Sequence, residues 1–383
     1  MAKRSIFEEV GEGARPVSAT QGGLIDRGTG GARGAIRIWL MVLFALVAVM
    51  IAVGGLTRLS DAGLSITEWR PVTGTIPPLS AEHWQSEFEL YRQSPQYRLT
   101  NEGMTLGQFQ QIYWWEWGHR FLGRVIGLVW AVGFLGFWVA GKIPAGWNKR
   151  LLWVGVLGGI QGAIGWWMVA SGLTGDMTSV ASYRLATHLG IGFVILGYLT
   201  WYALLLGRTE GQLLQARRVR EAKQFSLATG FMHLAFLQIL LGALVAGIDA
   251  GRYFPTWPLM NGTFFPADAF YVPDGAAWRA FFENAGLVQF IHRMVAYLAF
   301  AFGVVVWLRG RKSAHKTTRM AFHVVFALLL VQIALGIVTV LSAAALHPAI
   351  SHQIGAIALW VAIIRARYLS QYPKVTSIRG GTA

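Results

Sequence analysis

The chain has 383 residues, 54% of them hydrophobic and 13% charged, with a formal net charge of +15 and no cysteine. Charged residues make up about a quarter of an ordinary soluble domain, so this composition excludes that class and makes the lipid bilayer the first partner. The absence of cysteine excludes disulfides and thiolate ligands, and the basic residues form no nucleic-acid motif, so nucleic acid is excluded as a partner and histidine must carry any transition-metal chemistry.

Residues 1–35 are rich in glycine and polar residues, mix Glu8, Glu9 and Glu12 with basic residues, and lack the apolar core of a cleavable signal. They read as a disordered cytoplasmic tail. Apolar runs follow at 37–57, 120–141, 151–171, 187–206, 227–248, 291–308, 320–341 and 351–368. Roughly 20 such residues cross a bilayer, and backbone groups in lipid must be satisfied within the segment, so these runs predict eight transmembrane helices. Two connections are long, 58–118 and 249–288, and within the first the segments 80–93 and 106–114 read as short helices lying on the membrane surface. Basic residues concentrate in the N-terminal tail and around 142–150, 208–223, 309–319 and 365–379. The opposite loops hold most of the acids, among them Asp61, Glu68, Glu82, Glu87, Glu89, Glu102 and Glu116. The positive-inside rule then puts both termini in the cytoplasm.

The long outer loops fall at the same place in each set of four spans, and local patterns recur. Trp117-Gly118-His119-Arg120 opens the second span and Phe290-Ile291-His292-Arg293 the sixth, while His188 and His352 stand near the starts of the fourth and eighth. The odd spans share Gln161 to Gly165, Gln238 to Gly242 and Gln332 to Gly336. The fold class expected is therefore an all-α polytopic membrane protein, its eight helices arranged as two parallel-repeat four-helix bundles. The first bundle occupies 36–207 and the second 226–370, joined by a cytoplasmic linker at 208–225 and followed by a cytoplasmic tail at 371–383.

His119, His188, His292 and His352 all fall within about two turns of the outer ends of their spans. Ionisable residues at membrane depth default to a functional reading. The repeat groups these four as two pairs, each a geometry for the two axial ligands of a haem iron in a bundle core. Gly123 and Gly127 after His119, Ala296 after His292, and Gly190, Gly192 and Gly355 near the other two would leave room for a flat macrocycle. Arg120 and Arg293 point to the outer interface, where haem propionates need cations. His233 and His323 lie near the inner ends, at the wrong depth, and His83, His315 and His347 are assigned to loops. One turn before His119 stands Glu116, whereas the matching place before His292 is Gln289. A carboxylate beside a haem moves protons or stabilises positive charge during oxidation, and a site that only passes electrons needs none.

Trp115-Glu116-Trp117-Gly118-His119-Arg120, Val288-Gln289-Phe290-Ile291-His292-Arg293 and Gly54-Gly55-Leu56-Thr57-Arg58-Leu59-Ser60, followed by Gly63-Leu64-Ser65 and Glu68-Trp69, closely resemble haem A synthase. The likeness runs from about 36 to 370 and includes 69–74 and 256–262. It implies oxidation of the C8 methyl of haem O to a formyl group by successive hydroxylations. By that resemblance His119 and His188 hold the substrate haem O, Glu116 assists the chemistry, and His292 and His352 ligate a resident haem b that transfers electrons. It also implies the haem O producing farnesyltransferase and oxidase assembly factors as partners; the acidic N-terminal residues do not suit a transit peptide and point to a bacterial cytoplasmic membrane, where the loop charges put the haem sites toward the periplasm. A second copy of the chain stays open as a partner. Some relatives carry an outer-loop cysteine pair, and this chain has none. The alternative from another class is a di-haem b-type electron carrier that transforms nothing.

Overall fold

The structure is a computed structural model that describes residues 32–273 and 275–374. Among these residues all named elements are helical. Eight helices are long and apolar enough to cross a membrane. They are α1 (Ala32–Leu59), α2 (Leu106–Val139), α3 (Asn148–Gly172), α4 (Ser182–Leu206), α5 (Ala222–Gly247), α6 (Ala285–Gly310), α7 (Lys316–Leu341) and α8 (Leu346–Gln371). All eight expected spans are present. The first begins at Ala32, within the segment expected to be tail; the rest of that tail, 1–31, and most of the C-terminal one lie outside the described residues.

The helices pack in two rings. α1 and α3 each touch both α2 and α4, which leaves α2 and α4 diagonal to each other; α5 and α7 each touch both α6 and α8, which are likewise diagonal. The rings meet where α4 packs against α5 and α8 and where α1 packs against α8. α4 faces both rings and is accordingly buried along most of its length, from Ala186 to Leu206, the pattern of a helix apolar on all sides. The seam is fixed by polar contacts as well as packing. Trp360 Nε1 donates to the carbonyl of Phe193 at 3.0 Å and Gln353 Nε2 to that of Ile51 at 2.6 Å. In contrast Leu128, Val132, Leu135 and Val139 of α2, spaced by three or four residues, are exposed and face where lipid would lie.

The segment 106–114 departs from expectation. It is no separate surface helix but the first turns of α2, whose N-cap Thr105 and Gln108 form a reciprocal capping box. At 34 residues α2 is about 51 Å long, well beyond the roughly 30 Å of hydrocarbon. The reason is a second, smaller core: Phe109 and Tyr113 on those turns pack with Ile66, Phe88, Tyr91 and Tyr97. The helix Ala81–Arg92, capped by Ser80, and the helix Pro95–Thr100, capped by Ser94, close this core from the outside. The segment 80–93 is thus helical as expected, and it sits against α2.

The linker 208–225 is ordered. It contains the helix Glu210–Arg218, capped by Thr209 and Gln212, and α5 begins within it at Ala222. Arg33 at the start of α1 pairs with Glu210 at 2.9 Å, and Glu221 accepts from Ser313 Oγ at 2.6 Å and the Ala314 amide at 2.8 Å. His83 and His347, expected in loops, lie in the helix Ala81–Arg92 and the first turn of α8, while His315 immediately precedes α7 and makes no side-chain capping bond.

Candidate functional site

Each pair of candidate histidines sits on the diagonal helices of one ring, His119 on α2 with His188 on α4, and His292 on α6 with His352 on α8. The rings of His119 and His188 face one another with centroids 6.4 Å apart and planes inclined at 64°. His188, His292 and His352 lie within two turns of their helix starts. His119 does not, because the extra turns that serve the outer core precede it on α2.

Glycines on the flanking helices make room for the imidazoles. A Cβ added to Gly165 of α3 would come within 2.8 Å of His188 Cε1. The same atom on Gly242 of α5 would meet His292 Cε1 at 3.1 Å, and on Gly336 of α7 His352 Cε1 at 3.0 Å. Gly54 of α1 stands against His119 but at another edge of the ring, where a Cβ would meet Nε2 at 3.1 Å and Cδ2 at 3.4 Å. These four glycines, rather than those singled out from proximity along the chain, are the ones in contact with the rings. Gly123 meets Met50, Gly127 opens on empty space, and Gly190 faces Leu240 at the seam.

The recurring glutamines of the odd spans have a matching task. Gln161 Nε2 donates to the carbonyl of His188 at 2.9 Å, Gln238 Nε2 to that of His292 at 3.0 Å, and Gln332 Nε2 to that of His352 at 2.9 Å. The sequence displayed this repeat of glutamine and glycine four residues apart, but nothing in it said that the pair brackets an imidazole on another helix.

Glu116 is 2% exposed. Its Oε1 pairs with Arg120 at 2.6 Å, and its Oε2 accepts from Ser65 Oγ at 2.7 Å and the Ile66 amide at 2.9 Å. Arg120 also donates to the carbonyls of Ile66 at 2.9 Å and Glu68 at 3.4 Å. Gln289, 1% exposed, accepts from Arg293 at 3.0 Å and donates to the carbonyls of Ala250 and Phe254. Arg293 in turn reaches the carbonyls of Phe254 at 3.0 Å and Thr256 at 2.8 Å. On both helices the pair therefore ties down the start of the long outer loop. The difference is charge: an ion pair beside His119, a neutral amide with an arginine beside His292. Both arginines also border cavities, Arg293 one of about 320 Å³ with Phe290 and Tyr297, and Arg120 one of about 40 Å³ with Trp69 and Trp166.

Arg124, one turn beyond Arg120, was not anticipated. It donates to the carbonyls of Arg70 at 3.0 Å and Pro71 at 2.9 Å. His233 and His323 make local contacts, with the Thr229 carbonyl at 2.8 Å and the Trp307 indole at 3.0 Å.

The donor set fits a haem. No group of three or more histidine, aspartate or glutamate side chains that could hold a bare ion is found among the described residues. Two imidazoles on opposite helices match a metal that brings its other ligands in a macrocycle, and the glycines keep the space around each ring clear. The Nδ1 atoms of His188 and His352 are buried without a hydrogen-bond partner among the described residues, leaving their tautomers free to suit ligation through Nε2.

The chain matches the family model described as cytochrome oxidase assembly protein over residues 37–364, and it belongs to that family. It is 66% identical over 381 residues to the heme A synthase of Ruegeria pomeroyi, an alignment that covers 99% of this chain and 100% of that protein. It is 64% identical over 382 residues to the heme A synthase of another Ruegeria species, covering 99% and 100%. With the heme A synthase of Paracoccus denitrificans it shares 59% over 380 residues, covering 99% of each.

Proposed function

We propose that this member of the cytochrome oxidase assembly family is a haem A synthase, an oxidoreductase that converts the C8 methyl of haem O to a formyl group. Each of two hydroxylations removes two electrons from the methyl carbon, four in all, which pass to an external acceptor, and the doubly hydroxylated carbon loses water to leave the aldehyde. His119 and His188 hold the substrate haem O, and His292 and His352 hold a haem b. When bound, that haem b supplies one-electron transfer. Identity of about 60% or more over whole chains to proteins named for this activity supports the reading. So does the observation that carries it here, the pairing of two diagonal histidines with a buried carboxylate in one ring and an amide in the other.

The buried Glu116 carboxylate beside the substrate is bound by Arg120, Ser65 and the Ile66 amide. It thereby holds negative charge next to a substrate that loses electrons, and keeps the outer loop shut over it. Gln289 performs the loop-closing task without the charge, which suits a site that only relays electrons. Arg120 and Arg293, at the rims of their cavities, are placed to meet haem propionates.

The matched glycines and glutamines of the two rings support their origin as a parallel duplication. The charge asymmetry of the loops supports cytoplasmic termini, a bacterial inner membrane, and haem sites toward the periplasm. The haem O producing farnesyltransferase and oxidase assembly factors follow as partners by supply and delivery of haem.

The test is mass spectrometry of haems extracted from cells that make haem O, with this protein, without it, and with Glu116→Gln. Haem A only with the unaltered protein is the expected result. Haem O unchanged in every sample, despite bound haem b, would put the di-haem electron carrier in its place.

A further inference from the structure

Three of the four histidines have a glutamine beside them, and the fourth does not. Gln161, Gln238 and Gln332 each stand four residues before the glycine that meets the same imidazole, and each donates to that histidine's own carbonyl. At His119 the facing glycine is Gly54, and four residues before it stands Met50. The Met50 side chain occupies the corresponding place. Its Cε lies 3.2 Å from the Cβ position of Gly123, one turn after His119, as Gln161 Nε2 lies 3.8 Å from that of Gly192, one turn after His188.

The substitution matters for ligation. An imidazole that binds iron through Nε2 carries its proton on Nδ1, and an acceptor there fixes the ring and raises its basicity. The Oε1 atoms of Gln161, Gln238 and Gln332 are all buried and without a partner among the described residues, as are Nδ1 of His188 and His352. In the second ring the Gln238 amide nitrogen stands 3.0 Å from the His292 carbonyl and 3.1 and 3.3 Å from Nδ1 and Nε2 of the imidazole. Each glutamine thus pins the backbone of its histidine through its amide nitrogen, and no bond from its oxygen to the imidazole is formed among the described residues. A thioether offers no N–H donor and only a weak acceptor.

Resting on the assignment of the first ring to the substrate, we propose that His119 is the labile axial ligand, kept so by Met50, and that the substrate haem enters and leaves by making and breaking the His119 bond alone. A substrate must depart after every turnover and a cofactor must stay. Only the ring assigned to the substrate has an unclamped histidine. Breaking the bond returns the Nε2 electron pair to the imidazole and changes no oxidation state. His188, held through Gln161, keeps the porphyrin in register meanwhile. Met50 and the three glutamines are positioning residues, acting on iron only through the histidines.

The test uses the full chain purified from cells making both haems, unaltered and as Met50→Gln and Gln238→Met. Release of each haem to excess apomyoglobin is followed, with chromatography separating haems O and A from haem b. The unaltered protein should release haem O and haem A faster than haem b. Met50→Gln should slow that release about tenfold or more and leave haem b unchanged; Gln238→Met should speed haem b loss by a similar factor and raise its high-spin fraction. Release of haem O and A insensitive to Met50→Gln overturns the proposal, as does haem b release insensitive to Gln238→Met, which decides the matter if the first variant does not fold. Those results leave the site assignment standing. Protein that retains haem b but never binds haem O or haem A in the first ring would instead remove the assignment itself.

Discussion

Replacing Glu116 by glutamine separates the carboxylate's chemistry from its structural task. The side chain is 3% exposed and serves three donors: Arg120, Ser65 Oγ and the Ile66 amide. A glutamine keeps one oxygen and offers an amide where the second oxygen stood. Ser65 can rotate its hydroxyl to accept from that amide, and Arg120 keeps the remaining oxygen and the Ile66 carbonyl at 2.9 Å, so the bond lost is the one from the Ile66 N–H. The second ring displays the outcome, since Gln289 accepts from Arg293 at 3.0 Å while both hold the outer loop. The cost to folding is therefore about 1–2 kcal/mol, the scale of one altered hydrogen bond. Glu116→Ala removes every acceptor and leaves the part-buried Arg120, 14% exposed, without its counter-charge, which costs about 3 kcal/mol. In thermal unfolding of purified protein, Glu116→Gln should stay near the unaltered chain and Glu116→Ala should fall well below it. In extracted haems, both should lack haem A while haem b persists. A Glu116→Gln protein that makes haem A at the normal rate would refute a chemical role for the charge; one that unfolds like Glu116→Ala would refute the equivalence drawn with Gln289.

His292→Ala or His352→Ala should abolish the low-spin haem b spectrum while the first ring still binds haem O, and an unchanged spectrum would defeat that pairing. Gly165→Ala should displace His188, since its methyl would stand 2.8 Å from the ring, and lower haem O occupancy in a pull-down; Gly158→Ala, with nothing within 4 Å, should leave it unchanged. Burial, opposed by the hydrogen bond from Asn101, holds the Tyr91 phenol above its usual value of 10.0. The folded state thus binds this proton more tightly than the unfolded chain, so its contribution is full below about pH 10 and lost as pH rises through the folded value. Alkaline unfolding of the outer core, followed by proteolysis, should show less pH dependence in Tyr91→Phe. Arg58→Ala removes pairs with Asp249 at 2.7 Å and Asp61 at 3.0 Å, and because those carboxylates are 36% and 55% exposed the loss of stability should be only about 1 kcal/mol.

Much of this molecule was legible along the chain because a bilayer imposes its thickness on every segment that crosses it. Apolar runs of about 20 residues sufficed to place eight helices. The recurrence of histidine at the openings of alternate spans sufficed to pair His119 with His188 and His292 with His352 as candidates. Hydropathy could not reveal that α2 continues outward to Leu106, because those turns are buried by Phe88, Tyr91 and Tyr97 of a distant loop rather than by lipid. Nor could local spacing show which glycines touch the imidazoles. Gly54, Gly165, Gly242 and Gly336 lie on helices other than those bearing the histidines, and their relation to the rings exists only once four helices close around a common axis. The chain order fixed Glu116 and Gln289 one turn before a histidine. The arginine four residues on is a neighbour by helical spacing, but only the folded protein decided that each side chain also ties down an outer loop, since those partners arrive from segments up to 51 residues away and are gathered by burial.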